Sequence, residues 1–225
     1  MKFEELNLNK LLIKATTRLG FSDLTPIQEK VLPVALQNCD NDIIAQAPTG
    51  TGKTIAYGLP ILNNLNDDNY IQALILAPTR ELANQIKDDL TEYAYYLDKV
   101  NVCALYGGED YEKQFRSLKK NPKVIVATPG RLLDHIKRGT VNLANINTLV
   151  LDEADEMLDM GFRDDINEIL LLIGTRPHAP RCGAWGYSYW AALRPYSLVG
   201  HVFLLLRKCY WISVNKTHIP NGISA

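Results

Sequence analysis

Short apolar runs alternate along this chain with longer segments whose apolar residues recur every three or four positions. The runs Asp42–Gln46, Ala73–Ala77, Val100–Leu105, Lys123–Ala127 and Thr148–Leu151 read as strands, too short for helices and unbroken by polar alternation. Leu8, Leu11, Leu12, Ala15 and Leu19 repeat at helical spacing, with Gly20 as a C-terminal stop. Thr25 then stands as a cap and Pro26 as the first residue of a helix to about Leu36. Further helices are predicted from Lys53, from Arg80 to about Tyr96, from Asp110 to Lys119, from Arg131 and from Arg163. Buried-type strands separated by helices predict an α/β fold, a parallel sheet covered on both faces. Ligands of such sheets bind in the loops after the carboxyl ends of the strands. The informative residues lie there.

Composition divides the chain. With 47% hydrophobic and 22% charged residues in 225, it can bury a core, which excludes wholesale disorder. A net charge of −1 excludes histone-like basicity. Residues 1–175 carry 18 basic and 25 acidic side chains (−7), and residues 176–225 carry 6 basic and none acidic (+6). Trp185, Trp190 and Trp211 all fall in the second part. Cys39, Cys103, Cys182 and Cys209 are too few and too scattered for a disulfide scaffold. His178, Cys182, His201 and Cys209 match no common zinc spacing. The N-terminus lacks the apolar stretch of a secretory signal, and Val202 to Leu206 is far too short to span a bilayer. The expectation is a soluble, cytoplasmic protein without a membrane partner.

The loop Ala47-Pro48-Thr49-Gly50-Thr51-Gly52-Lys53-Thr54 follows the first strand and opens a helix. It is the A-x-x-G-x-G-K-T form of the phosphate loop: glycines let backbone N–H groups converge on phosphate oxygens at a helix N-terminus. Lys53 is a charge for the outer phosphates, and the Thr54 hydroxyl a ligand for Mg²⁺. The strand Thr148–Leu151 runs straight into Asp152-Glu153-Ala154-Asp155. Asp152 is placed to hold Mg²⁺ through water and Glu153 to polarise the water that attacks a γ-phosphate. Lys53, Asp152 and Glu153 form the candidate catalytic set for a nucleoside triphosphate.

At this point the chain resembles the DEAD-box ATP-dependent RNA helicases, over about residues 3 to 174. Gly20-Phe21 with Thr25-Pro26-Ile27-Gln28 is similar to the family's Q motif, within residues 1–29, and Phe3 to its upstream aromatic. Pro78-Thr79-Arg80-Glu81-Leu82 resembles motif Ia, Gly107-Gly108 the GG element, Thr128-Pro129-Gly130-Arg131 motif Ib, and Asp152 to Asp155 motif II. The surroundings are most similar to bacterial general RNA helicases of the cold-shock and degradosome type. The resemblance implies that residues 1–175 are the first RecA-like, ATP-binding lobe. It implies that Phe3, Phe21 and Gln28 bind the nucleotide, Gln28 by reading the adenine amino edge. It also implies that Pro78, Thr79, Arg80, Gly108 and Thr128 to Arg131 track an RNA backbone without reading bases. Ribonucleoprotein partners follow from the same resemblance. The residues themselves leave alternatives open. Thr25 and Gln28 have capping-box spacing, and the Pro78 and Thr128 segments suit ordinary capped helix starts. Met157, Met160, Phe162, Tyr93, Tyr95 and Tyr96 read as packing residues.

The resemblance stops at Ile173-Gly174-Thr175. The family's Ser-Ala-Thr motif and second lobe do not follow. Losing that strand is expected to leave strand edges in the core unpaired, at several kcal/mol. The tail, 176–225, is expected to be a low-order segment arising from a frameshift, retained non-coding sequence or an altered gene end, its aromatics prone to aggregation. A tail selected for RNA or partner binding is the alternative; a substitute strand through Leu198–Leu206 is open to the tail, though nothing in its pattern argues for it specifically. Functionally this gives a truncated RNA helicase, with a non-catalytic RNA- or partner-binding fragment and a non-functional product as rivals.

Overall fold

A computed structural model describes residues 1–37, 42–174, 201–207 and 223–224. The five predicted strands form where the apolar runs stand: β1 Ile43–Ala47, β2 Ala73–Leu76, β3 Val102–Leu105, β4 Val124–Ala127 and β5 Thr148–Leu151. The tail adds β6 His201–Arg207 and β7 Ile223–Ser224. After a 3-10 turn at Phe3–Glu5, the helices are α1 Lys10–Arg18, α2 Pro26–Leu36, α3 Lys53–Asn63, α4 Arg80–Tyr93, α5 Tyr111–Leu118, α6 Pro129–Lys137, α7 Ala154–Asp159 and α8 Arg163–Gly174.

The sheet order is β3-β4-β2-β5-β6-β1-β7. Strands β3, β4, β2 and β5 pair in parallel. Alternate side chains of each strand enter opposite cores, as a period of two requires. Ala45, Ile75, Val126 and Val150 face one cluster with Leu12, Ile27, Leu59 and Ile86 of α1 to α4. Ile44, Leu74, Ile125 and Leu149 face the other with Leu132, Met157, Ile166 and Ile169 of α6 to α8. Both faces are apolar because both are covered.

Strand β6 fills the gap that the sequence leaves. It lies antiparallel to β1, Ala47 opposite His201, and antiparallel to β5, Leu151 opposite Leu204. The expectation of unpaired edges is therefore corrected, and at residues 201–207 and 223–224 the tail is strand. The reason is physical: buried N–H and C=O groups on β1 and β5 need partners, and Val202 to Leu206 is the tail's longest apolar run. Trp185, Trp190, Trp211 and the expected aggregation-prone stretches lie outside the described residues.

Two packing expectations change. Met157 is fully buried, but Met160 is half exposed. Helix α4 stops at Tyr93, so Tyr95 lies beyond it, 62% exposed, with the Arg18 guanidinium 4.1 Å from its ring centre.

Candidate nucleotide and nucleic-acid site

Because β1 to β5 run the same way, their following loops gather at one edge of the sheet. The order divides that edge: β1 and β5 bring the phosphate loop and the acidic motif, while β2, β4 and β3 bring the motif Ia, Ib and GG segments. Sequence reasoning found the loops; the strand order supplies this division.

In the phosphate loop, Gly50 and Gly52 have φ of +78° and +86°, conformations that favour glycine. Gly52 is also crowded, since a Cβ there would lie 2.2 Å from Gln28 Nε2. Gln28, only 2% exposed, accepts from Thr25 N–H at 3.0 Å and donates to the Gly52 carbonyl at 3.1 Å. The Thr25 hydroxyl donates to the Thr51 carbonyl at 2.8 Å. Cap and loop clamp are thus one construction. Thr51 Oγ1 donates to the Pro48 carbonyl at 2.8 Å, while Pro48 and Thr49 are exposed.

Lys53 is 8% exposed and donates to the Ala47 carbonyl at 3.0 Å. Burial pulls its pKa down, against the pull upward from Asp152, Glu153 and Asp155. Asp152, 3% exposed, accepts from Glu153 N–H at 3.0 Å and from the Tyr57 hydroxyl at 2.8 Å. Burial and the adjacent Asp152 carboxylate push the Tyr57 phenol well above its ordinary pKa, so it stays a donor. Glu153 holds a left-handed conformation, φ +51°, which costs a non-glycine residue on the order of 1 kcal/mol. Ala154 is fully buried at the start of α7, and Asp155 is half-buried.

Two oxygen donors, the Thr54 hydroxyl and the Asp152 carboxylate, lie beside a phosphate-binding turn. That set suits Mg²⁺, which takes few protein ligands and fills its sphere with phosphate oxygens and water. Among the described residues no group of three or more His, Cys, Asp and Glu could hold a metal alone.

Phe3 and Phe21 line one cleft of about 230 Å³ with Lys2, Glu4, Gly20 and Ser22. Phe3 is buried in the core, whereas Phe21 is 39% exposed. The structure joins the two aromatics to each other; the cleft has no phosphate-loop residue in its lining.

On the other half of the edge, Thr79 caps α4, accepting from Leu82 N–H at 3.2 Å, with Pro78 buried before it. Arg80 is exposed and pairs with Glu81. A methyl group on Gly108 would stand 3.6 Å from Arg80 Nη1, so the GG and Ia segments adjoin. Thr128 is the N-cap of α6 without a side-chain bond to it, and Pro129 is buried at the first turn. Gly130 lies beneath α8, its Cβ direction 3.6 Å from Asp165 Oδ2.

Arg131 faces inward. Its guanidinium donates to the Tyr106 carbonyl at 3.0 Å and the Glu109 carbonyl at 2.7 Å, and lies 4.2 Å from the Tyr111 ring centre. Gln114 Nε2 adds a bond to the same Tyr106 carbonyl at 2.8 Å. A trans peptide whose carbonyl points inward turns the next N–H outward. The Gly107 N–H accordingly turns outward, and neither it nor the Gly108 N–H, both on exposed residues, has a backbone acceptor among the described residues. Sequence reasoning missed Gln114 and Tyr57. For Tyr57 a signal existed: three residues after Thr54 on a buried helix, its hydroxyl must find a partner near the phosphate loop.

The DEAD/DEAH box helicase family profile matches residues 25–182. This chain belongs to that family. Among its relatives, the ATP-dependent RNA helicase CshA of Listeria monocytogenes is 54% identical over 171 residues, covering 75% of this chain and 32% of the relative. The DEAD-box ATP-dependent RNA helicase CshA of Bacillus subtilis is 53% identical over 170 residues, covering 75% and 34%. The chain therefore spans about a third of the length of the curated relatives it matches. Of solved structures, a DEAD box protein from Methanococcus jannaschii superposes with a TM-score of 0.72 at 45% identity, over 76% of this chain and 47% of that one. The DEAD-box helicase Mss116, bound to ssRNA and UDP-BeF, superposes at 0.71 with 38% identity, over 76% and 36%. The described sheet with its flanking helices is thus one RecA-like DEAD-box lobe.

Proposed function

We propose that this lobe binds ATP with Mg²⁺ and grips RNA by its backbone, as the first lobe of an ATP-dependent RNA helicase. The observation that carries the reading is the convergence of buried Lys53, buried Asp152 and strained Glu153 on a loop that Gln28 clamps from behind. Mg²⁺, when bound, would supply positive charge against the charge that develops on the phosphate oxygens. Thr54 would hold it directly and Asp152 through water. Lys53 exchanges a neutral carbonyl for a phosphate oxygen, which is the stronger, charge-assisted bond. Glu153 orients the attacking water. Gln28 keeps one Nε2 hydrogen and one Oε1 lone pair beyond its two bonds, enough to read the adenine edge. Phe3 and Phe21 complete the base side, and Ala47 to Gly52 the phosphate side.

RNA would meet the outward amide of Gly107 and the exposed Gly108, the Thr79 and Arg80 start of α4, and the Thr128 to Gly130 start of α6. Arg131 supports that surface from beneath. Contacts of this kind touch phosphates and sugars, so binding is expected to be independent of base sequence and sensitive to salt. Duplex unwinding belongs to the two-lobe enzyme, in which arginines of the second lobe reach the transition state; in related phosphate-loop enzymes these are worth ~10³–10⁵ in rate. A cytoplasmic setting with ribonucleoprotein partners fits this role, and no helix among the described residues is long and apolar enough to cross a membrane.

A second reading is a chain that binds nucleotide or RNA without turnover. ATP hydrolysis measured with and without single-stranded RNA separates them. RNA-stimulated turnover that both Lys53→Ala and Glu153→Gln abolish supports an enzyme complete in one lobe. A cooperatively melting chain that binds both ligands and stays silent supports the second reading. Failure of that folded chain to bind either ligand defeats both.

A further inference from the structure

Tyr57 lies on α3, three residues after Thr54 and four after Lys53, so the helix places all of them on one face. Its side chain is fully buried. A buried phenol needs partners for its oxygen. The hydroxyl donates to Asp152 Oδ2 at 2.8 Å, and the Thr54 side chain is near enough to the same phenol to pull its pKa down against the larger upward push of burial and Asp152. The bond directions follow from the groups. An ionised carboxylate only accepts, so the Tyr57 proton goes to Asp152 and the Thr54 proton to Tyr57. Asp152 Oδ1 is fixed separately by Glu153 N–H at 3.0 Å.

A hydroxyl that ligates a cation uses its lone pairs and needs somewhere else to send its proton. Tyr57 is placed to accept from Thr54 while donating its own hydrogen to Asp152. We propose that Tyr57 is a positioning residue for Mg²⁺: its hydroxyl links Thr54 to Asp152 and keeps both as oriented acceptors for the ion that accompanies the nucleotide. The link joins the phosphate loop to motif II across 95 residues of sequence. It rests on the nucleotide reading above. Partners that orient a metal ligand typically change affinity for the metal when removed, even though they never touch it.

The test is Tyr57→Phe, which keeps the ring and removes the hydroxyl. A fluorescent ADP analogue is titrated onto the full chain, wild type and variant, in EDTA and across a Mg²⁺ series, with a thermal melt of each. The expected result is that the Mg²⁺ concentration giving half-maximal tightening rises about 10-fold in the variant. Affinity in EDTA should stay that of the wild type, and the melt should stay cooperative. An unchanged Mg²⁺ midpoint overturns the proposal while leaving nucleotide binding intact. So does an equal loss in EDTA, or a lost melt, because the bond would then hold the fold instead of orienting the ion. A wild-type chain that binds no nucleotide defeats the underlying reading itself.

Discussion

Gly52 illustrates how much one absent side chain can decide. Its φ of +86° alone disfavours any Cβ, and the Cβ position is already taken by Gln28 Nε2, 2.2 Å away. Gly50 has a similar φ, +78°, with open space around it. Comparing the two separates backbone strain from crowding. Gly50→Ala should cost about 1 kcal/mol, the strain of a left-handed alanine. Gly52→Ala should cost about 2 kcal/mol, because Gln28 must also give up its bond to Thr25 and its cap on α2. Urea unfolding measures the two costs, and equal values would remove the crowding argument. The same residues explain why Gln28 divided the sequence reading. Cap and loop clamp use the two ends of one amide, so neither role could be chosen over the other from spacing.

Helix α6 carries a comparable dependence at the scale of an element. His135 is fully buried, its Nε2 3.0 Å from Gln114 Oε1 and its Nδ1 2.8 Å from Thr140 Oγ1. Gln114 Nε2 is committed to the Tyr106 carbonyl, so Oε1 must accept and His135 Nε2 must carry the hydrogen. Burial first, then Arg131 and Arg138, push the pKa of His135 from 6.5 down to about 4, against a smaller upward pull from Asp134. Between those values the unfolded chain holds a proton that the folded chain refuses. This contribution to stability is therefore complete above pH 6.5 and lost progressively as pH falls toward about 4. Urea midpoints of the wild type and His135→Gln across that range should converge at low pH, and parallel curves would exclude the effect. Such a network was not legible in the sequence, since its bonds from α6 reach α5 and the GG loop across 21 and 25 residues. The elements themselves were legible. Strands β2 and β5 begin at the expected residues because buried strands are continuous apolar runs. Helix α4 ended early because Tyr95 and Tyr96 prolong the apolar pattern past the point where the chain turns.

In the whole molecule, β1 and β5 carry the two halves of the proposed nucleotide site, yet they are not neighbours in the sheet. Strand β6 pairs with both, Leu205 standing opposite Ile43 on one side and Val150 on the other. A substitute strand through Leu198–Leu206 was open to the tail but not singled out by its pattern, because antiparallel insertion at that gap depends on edges that only the assembled sheet presents. Ala47 and Asp152 leave from the ends of these strands, so their spacing depends on what lies between. Ending the chain at residue 200 should therefore remove cooperative melting and nucleotide binding together. Each buried backbone group left unpaired costs about 1–3 kcal/mol, and several lost at once approach the stability of an ordinary domain. Leu205→Pro tests the same strand with one residue, because proline cannot donate to the ladder. It should lower the melting temperature in the direction of the truncated chain. If both variants melt and bind nucleotide like the wild type, β1 and β5 are held together without β6, and the pairing shown by the tail contributes nothing to the site.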